Sequence, residues 1–154
     1  MNEYKVAIIG HRDLDYKNYK IAETKLIQLL RTLTDDNCIE VYLGKNGDFD
    51  NLAASVIKRM KKEAGDEMIY MTLVLPYQVR DIEFYERSYD RVLIPDSLHG
   101  VHPKSAITKR NFWMIEECDL FVCFVTESGG GANRALKYAE KLGKRIVNLS
   151  KSSF

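Results

Sequence analysis

Short apolar runs alternate along this chain with longer segments in which apolar residues recur every three or four positions. The runs Tyr4–Gly10, Cys38–Leu43, Glu67–Leu75, Asp90–Ile94, Asp119–Val125 and Arg145–Leu149 read as strands, the third and fourth ended by prolines. Helical spacing places Ile21, Leu26, Leu29, Leu30 and Leu33 on one side of a helix over Asn18–Thr34. A second helix starts near Asp50, read as its N-cap, and carries Leu52, Ala53, Val56, Ile57 and Met60. A third covers Lys104–Glu117, and a fourth follows from Arg134 to the stop glycine Gly143. Strands alternating with helices predict a mostly parallel sheet covered on both faces. The expected architecture is a Rossmann-like three-layer α/β sandwich, one domain over residues 1–154. Ligands of such sheets bind beyond the carboxyl ends of the strands, where strand order reverses. The loops at Gly10, Gly44, Pro76 and Ser128 all fall on that edge.

The most informative loop is Ser128-Gly129-Gly130-Gly131-Ala132-Asn133, set between an apolar strand and an amphipathic helix. Glycines let a backbone approach a ligand closely, and the first N–H groups of the helix point at it, which is the geometry of an anion cradle. The bland alternative is a tight turn, but three glycines exceed what a turn needs.

Composition adds little and removes some options. Apolar residues at 45% and charged residues at 29% are ordinary for a globular chain of this length. A net charge of +1 argues against a general nucleic-acid or membrane-surface protein, since neither field is strong. The basic run Lys58-Arg59-Met60-Lys61-Lys62 reads as the solvated end of a helix. No signal-peptide pattern precedes the first strand, and no apolar stretch approaches the roughly 20 residues of a spanning helix. Cys38, Cys118 and Cys123 read as reduced core thiols, which sets the expectation of a cytoplasmic protein.

Several residues at the predicted edge carry candidate chemistry. In Gly10-His11-Arg12, Arg12 offers a forked donor to a phosphate or carboxylate, the alternative being a surface salt bridge. His11 is a weaker candidate, because a lone histidine often bonds only to backbone. In Gly47-Asp48-Phe49-Asp50 a carboxylate can accept from ribose hydroxyls, though for Asp50 helix capping is the better reading. Arg110, followed by Asn111, reads from sequence as an exposed helix cation. Tyr77, Phe84, Tyr85 and Tyr89 lie among Arg80, Arg87 and Arg91, a mixture that suits base stacking or a subunit contact equally. His99 and His102 are too few for a metal site, so none is expected, and no serine has a nucleophile-elbow context.

In their order and spacing these motifs resemble a known family. Gly10-His11-Arg12, then Gly47-Asp48-Phe49-Asp50-Asn51-Leu52-Ala53-Ala54, then Pro76-Tyr77 each follow one of the first three strands. Arg110-Asn111-Phe112-Trp113-Met114 leads through Cys118-Asp119-Leu120 to Gly130-Gly131 and Tyr138-Ala139-Glu140-Lys141-Leu142-Gly143-Lys144. The set resembles the YpsA-like branch of the SLOG superfamily, whose name joins the SMF/DprA proteins with the LOG proteins. It covers nearly the whole chain, least well between Tyr77 and Lys104. The resemblance implies a Rossmann-like domain that binds nucleotides or their derivatives, in a sensing role.

The LOG phosphoribohydrolases release a base from a nucleoside monophosphate. Against their motif, Arg110 matches the arginine and Gly130-Gly131 the first glycines, but Asn111 replaces a lysine, Asn133 a glycine and Arg134 a threonine. Leu136 and Lys137 stand where the glutamates fall. Without a carboxylate there, glycosidic hydrolysis loses its main actor, so the pocket carries over and the activity does not. The expected ligand-binding set is Gly10, His11, Arg12, Gly47, Asp48, Tyr77, Arg110, Gly129, Gly130, Gly131, Ala132, Asn133 and Arg134. Within it, Asp48 faces the ribose, Tyr77 the base, and Arg12 with Arg134 the phosphate of a small phosphorylated nucleoside-type ligand. A second reading is an N-glycosidase using Arg110 with Asp48 or Glu140. A third is a scaffold for protein or single-stranded nucleic acid by analogy with the DprA branch, with near-neutral charge weighing against the nucleic acid. No cofactor is expected, and relatives of this fold suggest a homodimer.

Overall fold

A computed structural model of the chain describes residues 3–126 and 130–151. Its elements, in order, are β1 (Tyr4–Gly10), α1 (Tyr16–Asp36), β2 (Ile39–Leu43), α2 (Asp48–Ala64), β3 (Ile69–Val74), α3 (Ile82–Ser88), β4 (Arg91–Leu93), α4 (Pro103–Glu117), β5 (Leu120–Phe124), α5 (Gly130–Lys141) and β6 (Arg145–Asn148). The six strands form one sheet in the order β4-β3-β2-β1-β5-β6, and every pairing is parallel. Between β1 and β5 the chain reverses the direction in which it adds strands. That is the switch point at which a crevice opens beyond the strand ends.

Burial on both sides explains why β2 and β5 are buried from end to end. Ile39, Val41 and Leu43 of β2 pack with Leu26, Leu30, Leu52 and Ile57 beneath α1 and α2. Ala7, Ile9, Tyr42 and Phe121 pack with Met114, Ala135 and Ala139 beneath α4 and α5. A buried polar cluster lies in the second layer at Glu40. Glu40 accepts from Thr72 Oγ1 and from the Arg91 guanidinium, each at 2.7 Å. Burial, followed by the Glu40 charge, pushes the Tyr42 phenol up to about 12.

Local chemistry sets the helix ends. Asp15 caps α1 by accepting from the Asn18 N–H at 2.8 Å, and His102 Nδ1 caps α4 by accepting from Lys104 N–H at 3.1 Å. Proline at the first position of α4 has its φ preset for a helix and lacks only an N–H that would have no partner.

The predicted sandwich is present, with differences at particular ends. Helix α2 begins at Asp48 with Gly47 as N-cap, so Asp50 lies in its first turn and is not the cap. Helix α5 begins at Gly130, which moves Arg134 from the first turn to the second. Cys38 precedes β2 and is half-buried, whereas Cys118 and Cys123 are buried. Burial pushes the latter two thiols up to about 11 and 12. Within Tyr77–Gly100 the seven-residue α3 escapes the periodicity argument because it buries no side chain. No helix among the described residues is long and apolar enough to cross a membrane.

Candidate functional site

A pocket of about 330 Å³ opens at the switch point, within the range of small-molecule sites. Ile9, Gly10, His11 and Arg12 reach it from the end of β1; Gly44, Asn46, Gly47 and Asp50 from the loop after β2 and the first turn of α2. Ile107, Arg110 and Asn111 of α4 form another wall, and Gly130, Gly131 and Ala132 open α5 into it. Segments more than a hundred residues apart thus meet in one cavity.

The glycines do two different things here. A Cβ on Gly10 would lie 2.2 Å from Phe49 Cδ2, and one on Gly47 would lie 2.6 Å from the Arg12 Cα. One on Gly44 would sit 2.9 Å from an Arg110 guanidinium nitrogen. These three glycines let the chain pack on itself. At Gly130 and Gly131 a Cβ would meet no atom of the described residues within 4 Å, and Gly130 has a φ of +82° that favours glycine. Gly129 and Ser128 lie outside the described residues.

Arg110 corrects the expectation of an exposed cation. Only 3% of it is exposed. Its Nη1 donates to the Val74 carbonyl at 3.0 Å and its Nε to Asn111 Oδ1 at 2.9 Å. The side chain spans from the middle of α4 to the end of β3, which is how a mid-helix residue reaches the strand edge. Burial pulls the guanidinium below its ordinary value, opposed by the charge of Asp50. Burial in turn raises the Asp50 carboxyl, opposed by the Asn46 N–H that donates to it at 3.0 Å and by Arg110. In the same loop, the side-chain amide nitrogen of Asn46 is buried with no hydrogen-bond partner among the described residues.

The remaining candidates divide. His11 Nε2 accepts from the Thr126 N–H at 2.9 Å and its backbone N–H donates to the Phe124 carbonyl at 3.3 Å, so the ring ties β1 to the chain leaving β5. Arg12 is exposed, and its Nε donates to the Asn46 carbonyl at 3.2 Å. Asp48 does not line the pocket. It accepts from the Leu14 N–H at 2.8 Å, clamping the loop after β1. Arg134 lies outside the lining with its Nη1 3.3 Å from Thr108 Oγ1, and Asn133, Tyr77 and Glu140 lie outside it too.

Among the described residues the carboxylate that lines the pocket is therefore Asp50, where the sequence directed attention to Asp48 and Glu140. Gly44, Asn46, Asp50, Ile107 and Asn111 were not read as pocket residues. For Gly44, Asn46 and Asp50 the signal lay in their position after β2, on the same edge as Gly47. Of the aromatic segment, Tyr85 lies under Lys45 Nζ at 5.4 Å and Tyr89 under Lys58 Nζ at 5.5 Å, while Phe84 and Tyr77 stay exposed.

No protein-family model matches this chain, and no curated protein sequence matches it. Solved structures do resemble it. DNA processing protein A of Streptococcus pneumoniae superposes with a TM-score of 0.67 at 18% identity, over 94% of this chain and 49% of its own length. DNA processing protein A of Helicobacter pylori, a protein with a single-stranded DNA binding mode, gives 0.60 at 18% identity over 93% and 63%. The molybdenum cofactor carrier protein of Chlamydomonas reinhardtii gives 0.61 at 15% identity over 98% and 79%. This chain thus spans between about half and two thirds of the two DNA processing proteins.

What they share with it is the Rossmann-like parallel α/β fold that the sequence analysis predicts. They also correct one expectation. Near-neutral charge was read as disfavouring a nucleic-acid partner, yet this fold includes a single-stranded DNA binder. Net charge sums the whole surface, whereas a strand meets a local field. Arg12 and Arg110 at one edge are invisible in that sum.

Proposed function

We propose that the chain is a ligand-binding domain whose pocket takes a phosphorylated nucleoside-type ligand. The observation that carries this reading is that one pocket at the sheet's switch point is lined both by the open, glycine-bearing start of α5 and by Arg110. The N–H groups of Gly130 to Ala132 hold the phosphate in this reading, where the helix dipole favours negative charge. Arg110 supplies a fixed cation at low reorganisation cost, since it is already buried and bonded. Arg12 supplies a second one from the rim. The fold likeness to a molybdenum cofactor carrier supports ligand binding as such and does not choose the ligand.

Isothermal titration of the chain with AMP, ADP-ribose and NAD tests this. We expect saturable heat with at least one of them, together with thermal stabilisation worth about 2.7 kcal/mol at 100 times the dissociation constant. No heat from any of the three, with unchanged melting, overturns the reading. The likeness to the DNA processing protein with a single-stranded DNA binding mode supports a second reading, a strand whose terminal nucleotide enters the same pocket. A gel shift with a single-stranded oligonucleotide that weakens steeply with salt and is competed by AMP favours it.

A further inference from the structure

A phosphate site has little use for a carboxylate, yet Asp50 lines this pocket. One of its oxygens accepts from the Asn46 N–H at 3.0 Å, which leaves acceptor capacity on the carboxylate. Asn46 Nδ2, belonging to the residue that this bond ties to Asp50, is a buried donor with no partner among the described residues. The carboxylate and the unpartnered amide nitrogen thus belong to one loop, four residues apart in the chain. Leaving such groups unpaired costs free energy, and a complementary partner that reaches them relieves that cost.

A vicinal diol is complementary to this pair, because each hydroxyl both donates and accepts. One hydroxyl donates to the Asp50 carboxylate while its neighbour accepts from Asn46 Nδ2. Strand order separates this pair from the phosphate end: β2 feeds the Asp50 side, β5 feeds α5, and β1 lies between them. Two strand spacings are about 10 Å, which keeps the carboxylate away from a phosphate at α5 and leaves room for a sugar between.

We propose that Asp50 and Asn46 form a hydroxyl-recognition subsite for the ribose of the ligand, so that the pocket selects ribonucleoside phosphates over their 2′-deoxy counterparts. This rests on the reading of the pocket as a site for phosphorylated nucleosides. Asp48, the other carboxylate of the same loop, has no share in it, because its oxygen is committed to the Leu14 N–H.

The experiment titrates the full chain with AMP, 2′-deoxy-AMP and inorganic pyrophosphate, for wild type, Asp50→Asn and Asn46→Asp, with melting curves reporting folding. Wild type is expected to bind AMP about tenfold or more tightly than 2′-deoxy-AMP, the loss that follows when a charged acceptor forfeits its donor. In Asp50→Asn that preference shrinks to within about twofold, while pyrophosphate, which offers no hydroxyl to a carboxylate, binds no more weakly than to wild type. Asn46→Asp weakens AMP, having lost the donor. Equal wild-type affinity for AMP and 2′-deoxy-AMP overturns the ribose subsite and leaves the phosphate reading standing. So does binding of pyrophosphate without AMP. Binding of none of the three overturns both.

Discussion

Glycines at the two sides of the pocket are the same residue used for opposite ends. On the β1 and β2 side, Gly10, Gly44 and Gly47 are filled against Phe49, Arg110 and the Arg12 backbone. On the α5 side, Gly130 and Gly131 face space that no described residue occupies. A glycine filled by its own protein is a packing residue. A glycine facing an open pocket leaves its backbone accessible to something else.

This contrast can be broken by substitution. The largest effect is expected at Gly10→Ala, whose methyl would collide with the fully buried Phe49 ring and cost up to about 3 kcal/mol in denaturant unfolding. Gly44→Ala comes next, at about 1–2 kcal/mol, because it pushes the Arg110 guanidinium off the Val74 carbonyl. Gly130→Ala is expected to cost about 1 kcal/mol through its positive φ alone. Gly131→Ala should stay within about 0.5 kcal/mol of wild type while weakening the ligand, since the methyl enters the open side. Equal losses at Gly10 and Gly131 would erase the distinction.

The Asp50 carboxyl sharpens the comparison through pH. Its folded value is raised above the ordinary 3.8, chiefly by burial, so the folded state holds the proton more tightly than the unfolded chain does. Its contribution to stability is complete below pH 3.8 and is lost as pH rises through the raised folded value. Asp50→Asn removes that loss, and its stability should fall less than that of wild type over the same window. A steeper fall in the variant would contradict the assignment.

How far the sequence foretold the molecule follows from where each signal lies. Strands such as Leu120–Phe124 were legible because burial on both faces demands an unbroken apolar run. The edge was legible because alternation of strand and helix sends every strand's carboxyl end the same way. Arg110 was not, since helical spacing cannot report that a guanidinium turns inward to satisfy a strand-end carbonyl 36 residues away in the chain. Asp50 was misread for a related reason: a carboxylate near a helix start suits capping, and Gly47 in fact holds that place. Arg134 lost its place at the pocket because α5 starts four residues earlier than its apolar spacing suggested, while Tyr77 lies outside the cavity.

Amide chemical-shift mapping of the isotope-labelled chain during titration with AMP shows whether the switch-point pocket binds the nucleotide. Shifts are expected to saturate together and cluster at Gly10, Gly44, Asn46, Gly130 and Gly131, with Tyr70 and the exposed face of α1 unmoved. Shifts confined to other surfaces, or none at saturating AMP, would contradict binding there.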